Sequence, residues 1–263
     1  IPRPVYFDRA IAILSAPGGN SFFHWMIDAL PRYELLRQVR DWFDEIDCFI
    51  VNDVSHPFQK ETLNLLGIPQ HRILNGATYP HIISKRLFVP SFVRHQTCNI
   101  APWVFQFLRR ELMPKATTNM SPVHKKHRIY ISREKAKSRR IVNESEVLNI
   151  LEKYGFKKVF LESLSITEQM QLFASSEYVI APHGAGLTNL VFCPQGTKVL
   201  EIFSPNYVSV SYWNICNQVG LDYYYLFGRG ERSKANQDPH KRLEDIDVNP
   251  IEFQKILYLM GLR

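Results

Sequence analysis

The chain has 263 residues, of which 45% are hydrophobic and 22% are charged. This average globular composition excludes a disordered, fibrous or collagen-like protein, and the length suits one large domain or two domains of about 130 residues each. A net charge of +7 favours anionic ligands without selecting among nucleic acids, membranes and phosphates.

Membrane and disulfide signals are weak in this sequence. No stretch approaches the about 18 consecutive apolar residues of a membrane span, and the first residues, IPRPVYFDRA, lack the pattern of a signal peptide. We therefore expect no membrane span. The four cysteines lack the spacing of a zinc site or a disulfide framework, so we interpret them as buried thiols: Cys48, Cys98, Cys193 and Cys216.

In the first part of the chain, helix and strand signals alternate. Residues 20–40 have the apolar spacing of a helix, with Asn20 or Ser21 available as N-cap and Pro31 placed to bend or end its first part. A strand is predicted at Cys48–Val51. The remaining predicted elements of this part are a helix within 56–67, stopped by Gly67, and two short extended segments within 72–92.

A change in composition marks a domain boundary near the middle of the chain. Residues 113–127 combine two prolines, small polar residues and a basic end, which is typical of an inter-domain linker. We place the linker at 116–127. It separates an N-terminal domain at 1–115 from a C-terminal domain at 128–249, and residues 250–263 are predicted to form a closing amphipathic helix.

The second part of the chain repeats strand–helix units whose length predicts a parallel sheet with helices on both faces, and hence an α/β fold. Asn143, followed by Glu146 three residues on, resembles a capping box at the start of one helix. The predicted strands are 128–133, 157–162, 177–182 and 198–203, and the predicted helices are 143–156, 167–176 and one beginning at 186.

The stretch APHGAGLTNLVF, residues 181–192, follows a predicted strand and contains no acidic residue. In open α/β sheets, ligands bind beyond the carboxyl ends of the strands, where helix N-termini present free N–H groups to anions. Gly184 and Gly186 would let the backbone approach a phosphate closely, and His183 adds a donor. The alternative is a tight strand-to-helix turn in which the glycines are present because larger residues would not fit, and in which His183 bonds to the backbone.

Two further candidate sites complete the pattern. Arg133 leaves the first strand of the second part with Lys137 close behind, and an arginine fork suits phosphate oxygens; the alternative is a solvated basic loop. In the first part, His24 and Asp28 lie four residues apart, so on a helix they can form a base with an orienting carboxylate. The alternative there is a structural helix in which Asp28 pairs with Arg32.

Taken in order, these motifs resemble those of glycosyltransferase family 61. They are GNSFFHWMIDALPR at 19–32, ISR at 131–133, EQ at 168–169, APHGAGLTN at 181–189 and VLEI at 199–202. The family includes plant xylan arabinosyl- and xylosyltransferases and animal O-linked N-acetylglucosaminyltransferases. The resemblance implies a GT-B enzyme with two Rossmann-like domains facing a cleft, which is inverting and independent of metal ions.

The resemblance also implies roles for individual residues. His24 or Asp28 would deprotonate the acceptor, and we favour His24 because a histidine accepts a proton at neutral pH without special tuning. Asn20 and Arg32 would contact the acceptor or support the site. Glu201 would accept hydrogen bonds from a ribose. The full set of implied donor-binding residues is Arg133, Lys137, His183, Gly184, Ala185, Gly186, Leu187, Thr188, Asn189 and Glu201.

The predicted function is therefore transfer of a sugar from a nucleotide-diphosphate donor, with a UDP-sugar expected, to a hydroxyl group of a glycan or glycoprotein in surface polysaccharide synthesis. No cofactor is expected, and no DxD metal motif occurs apart from Asp245 and Asp247, which we interpret as solvated loop. A bacterial cytoplasmic enzyme is favoured over a trimmed lumenal domain of the Golgi or endoplasmic reticulum. The alternatives are a non-catalytic nucleotide-sugar-binding relative and a basic nucleic-acid-binding protein, although no nucleic-acid partner is expected.

Overall fold

A computed structural model of the chain describes residues 2–95, 99–117, 126–231 and 243–263. The chain divides into two compact units, Ile1–Thr118 (unit 1) and Asn119–Arg263 (unit 2). The division falls within the predicted linker 116–127. However, a helix continues through residues 116 and 117, so these two residues are not linker, and residues 118–125 lie outside the described residues.

Unit 1 contains a four-stranded parallel sheet with the strand order β3-β2-β1-β4. Two short strands form a separate antiparallel pair. The strands are β1 (Val5–Ile13), β2 (Cys48–Val51), β3 (Ile73–Asn75), β4 (Ile82–Phe88), β5 (Arg94–His95) and β6 (Asn99–Ile100). The helices are α1 (Phe22–His24), a π-helix at Trp25–Ala29, α2 (Arg32–Arg37), α3 (Arg40–Phe43), α4 (Pro57–Leu65), a 3-10 turn at Gln70–Arg72 and α5 (Pro102–Thr117).

The sequence predicted one helix over 20–40, and the structure contains several short ones. Pro31 is the residue before α2, so the prediction that it ends the first part is confirmed. Before it, the N–H of Leu30 bonds to the carbonyl of Trp25 at 2.9 Å, five residues back, which is the hydrogen bond of a π-helix. The predicted helix at 20–40 is therefore interrupted by a wider turn and a proline.

Unit 2 contains a five-stranded parallel sheet with the strand order β11-β10-β9-β7-β8. Its strands are β7 (His127–Ile131), β8 (Lys157–Val159), β9 (Ser176–Pro182), β10 (Lys198–Phe203) and β11 (Asp222–Phe227). Its helices are α6 (Glu144–Glu152), α7 (Ile166–Ala174), α8 (Ser211–Val219), α9 (Pro250–Leu259) and 3-10 helices at Leu161–Ser163 and Ala185–Phe192. The α/β class predicted from the sequence is confirmed in both units.

The unit 2 sheet has a core on each face because successive residues of a strand point to opposite sides. Ile202 of β10 belongs to a buried cluster with Val147 of α6 and Phe253 of α9. Its neighbours along the strand, Glu201 and Phe203, therefore point to the other face. That face is where the candidate site of unit 2 lies.

Three local predictions are corrected or completed by the structure. The capping box at Asn143 is incomplete: its amide donates to the Glu146 side chain at 2.8 Å, but its oxygen accepts from the N–H of Val248 at 3.0 Å and not from the helix backbone. A capping box does form between Ser165 and Glu168 at the start of α7. The cysteines at 48, 193 and 216 are buried thiols as predicted, whereas residue 98 lies outside the described residues. Within the described ranges, no helix has both the length and the apolar character needed to cross a membrane.

Candidate functional site

The candidate site of unit 1 begins in the loop after β1. There the N–H of Ala16 donates to the Asn52 side chain at 2.9 Å, and the Asn52 amide donates back to the Ala16 carbonyl at 2.8 Å. A Cβ on Gly19 would lie 2.1 Å from the oxygen of that same side chain, so only glycine fits. These contacts hold the loop against the residue that follows β2, and α1 leads directly from the loop to His24.

His24 and Asp28 form the predicted pair, and Arg94 completes it. His24 Nδ1 lies 2.6 Å from Asp28 Oδ2. Arg94 donates Nε to Asp28 Oδ1 at 2.8 Å and Nη2 to Asp28 Oδ2 at 2.9 Å. The Arg94 guanidinium also lies over the Phe23 ring, 5.7 Å from its centroid. Both carboxylate oxygens of Asp28 are therefore engaged, and its position is fixed from two sides.

This geometry defines which ring nitrogen of His24 can accept a proton. A carboxylate only accepts hydrogen bonds, so a contact of 2.6 Å requires the proton to be on Nδ1. In the neutral ring Nε2 then carries the lone pair. The His24 side chain is 36% exposed, whereas that of Asp28 is 10% exposed, so the histidine is the more accessible partner. The arrangement is that of a general base oriented by a carboxylate.

Gly18 lies against the ring of His24. Its backbone has φ of +72°, and an added Cβ would come within 2.8 Å of His24 Cδ2. A residue with a side chain would be strained by the left-handed backbone and would also press on the imidazole. The glycine therefore leaves the position of His24 to be set by Asp28.

Arg32 does not pair with Asp28, so that alternative is wrong. Arg32 is buried and donates to the carbonyl of Ser15 and, at 2.6 Å, to the carbonyl of Pro90. Burial lowers its pKa. Its position is that of a structural support joining two loops of unit 1. Asn20 is exposed in the turn before α1, where the N-cap position is taken by Ser21.

In unit 2, His183 follows the end of β9 and is buried. Its Nδ1 bonds to Glu201 Oε1, and Tyr223 donates its hydroxyl to Glu201 Oε2 at 2.6 Å. The ring stacks on Phe203 at 5.3 Å and contacts the rings of Tyr207 and Tyr212, each at 5.2 Å. The His183 ring thus bonds to a carboxylate. The sequence had offered a donor to the ligand or, alternatively, a bond to the backbone, and Nδ1 makes neither contact.

The ribose role predicted for Glu201 is not met by this geometry. The Glu201 side chain is completely buried, and both of its oxygens already accept hydrogen bonds. Its position is that of a carboxylate near the end of a strand that is paired with a nearby base. Burial and the adjacent Glu201 carboxylate raise the pKa of Tyr223, so this phenol remains protonated and donates to Glu201.

Arg133 lies directly beside Gly184. A Cβ on Gly184 would be 2.3 Å from the Arg133 Nη1 atom, so the guanidinium occupies the space that a side chain would need. Arg133 donates to the carbonyl of Ser138 through Nε at 3.2 Å and Nη2 at 3.0 Å. Burial lowers its pKa, as does the positive charge of Arg139. The structure therefore brings Arg133 and the 183–186 turn together, as the sequence predicted.

The helix that follows the turn differs from the prediction. Residues 185–192 form a 3-10 helix whose first hydrogen bond runs from the N–H of Leu187 to the carbonyl of Gly184 at 3.0 Å. The N–H groups of Ala185 and Gly186, both partly exposed, precede that bond and are available to a ligand.

Three predicted ligand residues of this helix are instead buried. Leu187 is buried, Thr188 donates to the Ala185 carbonyl at 2.7 Å, and Asn189 donates to the Gln169 side chain at 2.8 Å. These contacts are internal, so the predicted donor-binding role does not suit their side chains. Lys137 is exposed, and its donor-binding role stays a prediction.

Acidic residues do not gather into a metal site in the part of the chain that the structure describes, where no group of three or more His, Cys, Asp or Glu side chains could hold an ion. Asp245 and Asp247, interpreted as solvated loop, each pair with an arginine. Asp245 accepts from Arg140, and Asp247 lies 3.4 Å from Arg229.

Residues 22–200 match the family model described as Glycosyltransferase 61, which is more than half of the chain. The chain therefore belongs to glycosyltransferase family 61. This match contains the His24 and Arg133 sites and the 183–186 turn.

Curated relatives share parts of the chain. The EGF domain-specific O-linked N-acetylglucosamine transferase of Drosophila melanogaster is 38% identical over 87 residues, covering 32% of this chain and 16% of the relative. The alpha-1,3-arabinosyltransferase XAT2 of Oryza sativa subsp. japonica is 30% identical over 143 residues, covering 51% and 24%. The chain thus spans less than a quarter of the length of these relatives.

Among solved structures, the E. coli heptosyltransferase WaaC with ADP-2-deoxy-2-fluoro heptose is similar at a TM-score of 0.46 and 9% identity, covering 95% of this chain and 99% of that one. At that score and identity, the likeness has no bearing on individual residues.

Proposed function

We propose that this chain transfers a sugar from a nucleotide-diphosphate donor to a hydroxyl group of a glycan or glycoprotein, with inversion at the anomeric carbon and without a metal ion. A UDP-sugar is the proposed donor. The proposal keeps the expected GT-B division of labour, with the donor held by unit 2 and the acceptor and base by unit 1.

The observation that carries the proposal is the His24–Asp28–Arg94 arrangement. Asp28 holds Nδ1 as a donor and thereby leaves Nε2 as the acceptor for a proton. Asp28 is a poor candidate for the base itself, since both of its oxygens are occupied and it is the more buried partner. His24 is therefore the proposed general base, and Asp28 orients it.

The proposed reaction is a single displacement. His24 Nε2 takes the proton of the acceptor hydroxyl while its oxygen attacks the anomeric carbon. The bond from that carbon to the diphosphate oxygen breaks, and the electron pair leaves with the diphosphate. Attack opposite to the leaving group inverts the anomeric configuration, and the proton on His24 is later released to solvent.

Charge on the leaving diphosphate has to be stabilised. Arg133 and the N–H groups of Ala185 and Gly186 supply donors that are fixed before the reaction and so require little reorganisation. A half-buried arginine beside a glycine lets the phosphate approach both the guanidinium and the backbone. In this proposal, these groups do the work that a divalent cation does in other transferases.

Thermal shift with a nucleotide-sugar panel tests the donor half of the proposal. UDP-N-acetylglucosamine, UDP-xylose and UDP-arabinose would be compared in buffer with EDTA and in buffer with MgCl₂. We expect at least one to raise the melting temperature in both buffers, because a ligand that binds the native state stabilises it. Arg133→Ala should remove the shift. Absence of any shift in either buffer would overturn the donor assignment.

Transfer assays test the base. Release of UDP with a panel of glycan acceptors should fall by about 10²–10⁴-fold in His24→Ala, while the thermal shift by the donor is retained. The exposed His71 offers a matched control, and His71→Ala should transfer as the wild type does. Transfer by His24→Ala within twofold of wild type would exclude His24 as the base, and turnover that depends on Mg²⁺ would exclude the metal-free mechanism.

A further inference from the structure

The loop after β7 carries three arginines whose environments differ. Arg140 pairs with Asp245, donating Nε at 2.9 Å to the carboxylate and its backbone N–H at 2.9 Å. In the described ranges, the acceptor for Arg133 is the backbone carbonyl of Ser138. Within the part of the chain that the structure describes, Arg139 has neither a hydrogen bond nor an ion pair, and its Nε is buried. Among the described residues, neither Arg133 nor Arg139 forms an ion pair, and both are partly buried; Glu162 and Asp245 act on Arg133 only from beyond ion-pair distance.

The backbone at Arg139 is unusual as well. Among the described residues, Arg139 alone combines a side chain with a positive φ, of +56°. The left-handed region is unfavourable for residues with a Cβ, and such conformations persist where surrounding structure or function requires them. Among the residues that the structure describes, the one contact recorded for the Arg139 guanidinium is with the Tyr207 ring, 5.4 Å from its centroid, and this contact does not explain the conformation.

A chain of contacts connects the two arginines around one turn. Arg133 fills the space next to Gly184, and the adjacent His183 contacts Tyr207 at 5.2 Å. Tyr207 in turn lies under Arg139. Arg133 therefore contacts the 183–186 turn directly, and Arg139 is connected to the same turn through Tyr207. The charge of Arg139 also lowers the pKa of Arg133, which indicates that the two cations are close enough to repel each other.

We propose that Arg133 and Arg139 form a two-arginine site for a diphosphate group, one guanidinium for each phosphate. The inference rests on the proposed donor site. It adds Arg139 to that site and specifies a diphosphate as the group that is bound. Two like charges that are partly withdrawn from water, with no carboxylate in direct contact, are unfavourable together, and a dianion or trianion bound by both guanidinium groups reduces that cost. A guanidinium fork binds phosphate oxygens in pairs, which a lysine cannot reproduce.

The number of cations selects a diphosphate over a single phosphate. Arg133 and two backbone N–H groups are sufficient to bind one phosphate. Arg139 has a group to bind only when a second phosphate is present. Nucleotide and sugar are not needed for this recognition, so inorganic pyrophosphate is a suitable probe. Free pyrophosphate and a nucleoside diphosphate share the chemistry, and the experiment compares the two.

Isothermal titration calorimetry in buffer with EDTA tests the site. The wild type should bind pyrophosphate more tightly than inorganic phosphate. Arg139→Asn should weaken pyrophosphate binding by about 10–100-fold while changing phosphate binding little, because one charge-assisted pair is lost. Arg139→Lys should be intermediate. The neighbouring Arg140→Gln removes an equal charge but a paired one, so its pyrophosphate affinity should stay within about twofold of wild type.

Thermal unfolding of the ligand-free variants gives a second, independent readout. Asparagine tolerates the left-handed region, so Arg139→Asn should raise the melting temperature by about 1–4 °C relative to wild type. Pyrophosphate affinity equal to wild type in Arg139→Asn would overturn the proposal whatever the stability. Lower stability with unchanged affinity would assign Arg139 a purely structural role.

The outcome also separates this inference from the proposed function. If pyrophosphate binds through both arginines but UDP and the UDP-sugars do not bind, the proposed function fails and the two-arginine site stands. If UDP-sugars bind and are turned over equally by wild type and Arg139→Asn, the proposed function stands and the two-arginine site is wrong.

Discussion

Each unit of the molecule contains a histidine whose Nδ1 bonds to a carboxylate, and the two pairs differ in everything around them. In unit 1 the His24 side chain is 36% exposed, and Asp28 is held by Arg94. In unit 2 the side chains of His183 and Glu201 are 7% and 0% exposed, and Glu201 is held by Tyr223. The same chemical pair is therefore open to a ligand in one unit and sealed within the core in the other.

The groups around each histidine–carboxylate pair therefore set how accessible that pair is. An arginine holds the first carboxylate in place, and the His24 side chain remains partly exposed. A phenol and three aromatic rings enclose the second pair, which then positions the turn at Gly184 beside Arg133. We interpret the first pair as catalytic and the second as a structural brace for the donor site.

The sharpest test of this contrast is Asp28→Asn. An asparagine presents an amide donor to His24 or to Arg94, so one of the two contacts is lost and the tautomer is no longer fixed. We expect kcat for transfer to fall by about 10²–10⁴-fold with donor affinity unchanged, measured by UDP release and by titration of the donor. The exposed Asp44 provides a matched control, Asp44→Asn, which should behave as wild type. A kcat of Asp28→Asn above one-tenth of wild type would contradict the assignment.

The corresponding change in unit 2 should act on stability. Glu201→Ala leaves a cavity and strips His183 and Tyr223 of their shared acceptor, so we expect the free energy of unfolding to fall by about 3–5 kcal/mol in urea denaturation. Glu201→Gln should lose much less, since its amide can donate to His183 and accept from Tyr223. Equal stability of Glu201→Ala and wild type would show that the His183–Glu201 pair does not stabilise unit 2.

Arg94 should matter through Asp28 and not by contact with substrate. Arg94→Met removes both hydrogen bonds to the carboxylate, and we expect kcat to fall by about 10–100-fold with KM little changed. Arg94→Lys keeps the charge without the two-donor fork and should recover part of the loss. The pH profile of kcat should change in Arg94→Met, because a group that holds the acid–base pair has been removed. An unchanged kcat and profile would leave Arg94 with a packing role only.

The smallest expected effect is that of Tyr223→Phe. At neutral pH it should cost about 1–2 kcal/mol of unfolding free energy, since Glu201 loses one donor. The folded-state pKa of Tyr223 lies above the ordinary value of 10.0, so its contribution is complete below about pH 10 and is lost as the pH rises further. Chemical denaturation at pH 9 to 11 should therefore show a shallower alkaline decline in the variant. An equal decline in unfolding free energy for wild type and variant would contradict the role of Tyr223 as a buried donor to Glu201.

Local patterns in the sequence were sufficient for several elements. Apolar runs predicted β2, β9 and β10, and the i,i+4 spacing predicted the His24–Asp28 contact. Strand β1 was missed because a bulge between Phe7 and Ala10 and the charged residues between them interrupt its alternation. Helices α5 and α8 and strand β11 were also missed.

The site residues that were not predicted are those whose partners lie far away in the sequence. Arg94 is 66 residues from Asp28, and Tyr223 is 22 residues from Glu201, so no local pattern connects them. The direction of Glu201 was hidden because β10 is apolar on both faces and offers no alternation to count. Thr188 and Asn189 were misassigned because a 3-10 helix places side chains on different faces from an α-helix.

The π turn at Trp25–Ala29 makes this segment sensitive to its number of residues, more than to the identity of each residue. Such a turn behaves as an α-helix with one residue inserted, and it stands between His24 and the residues that follow Asp28. Deleting one residue inside it would return the segment to ordinary helical winding and leave every strand of the sheet intact. We expect such a deletion to leave the fold intact and to break the contact between His24 and Asp28.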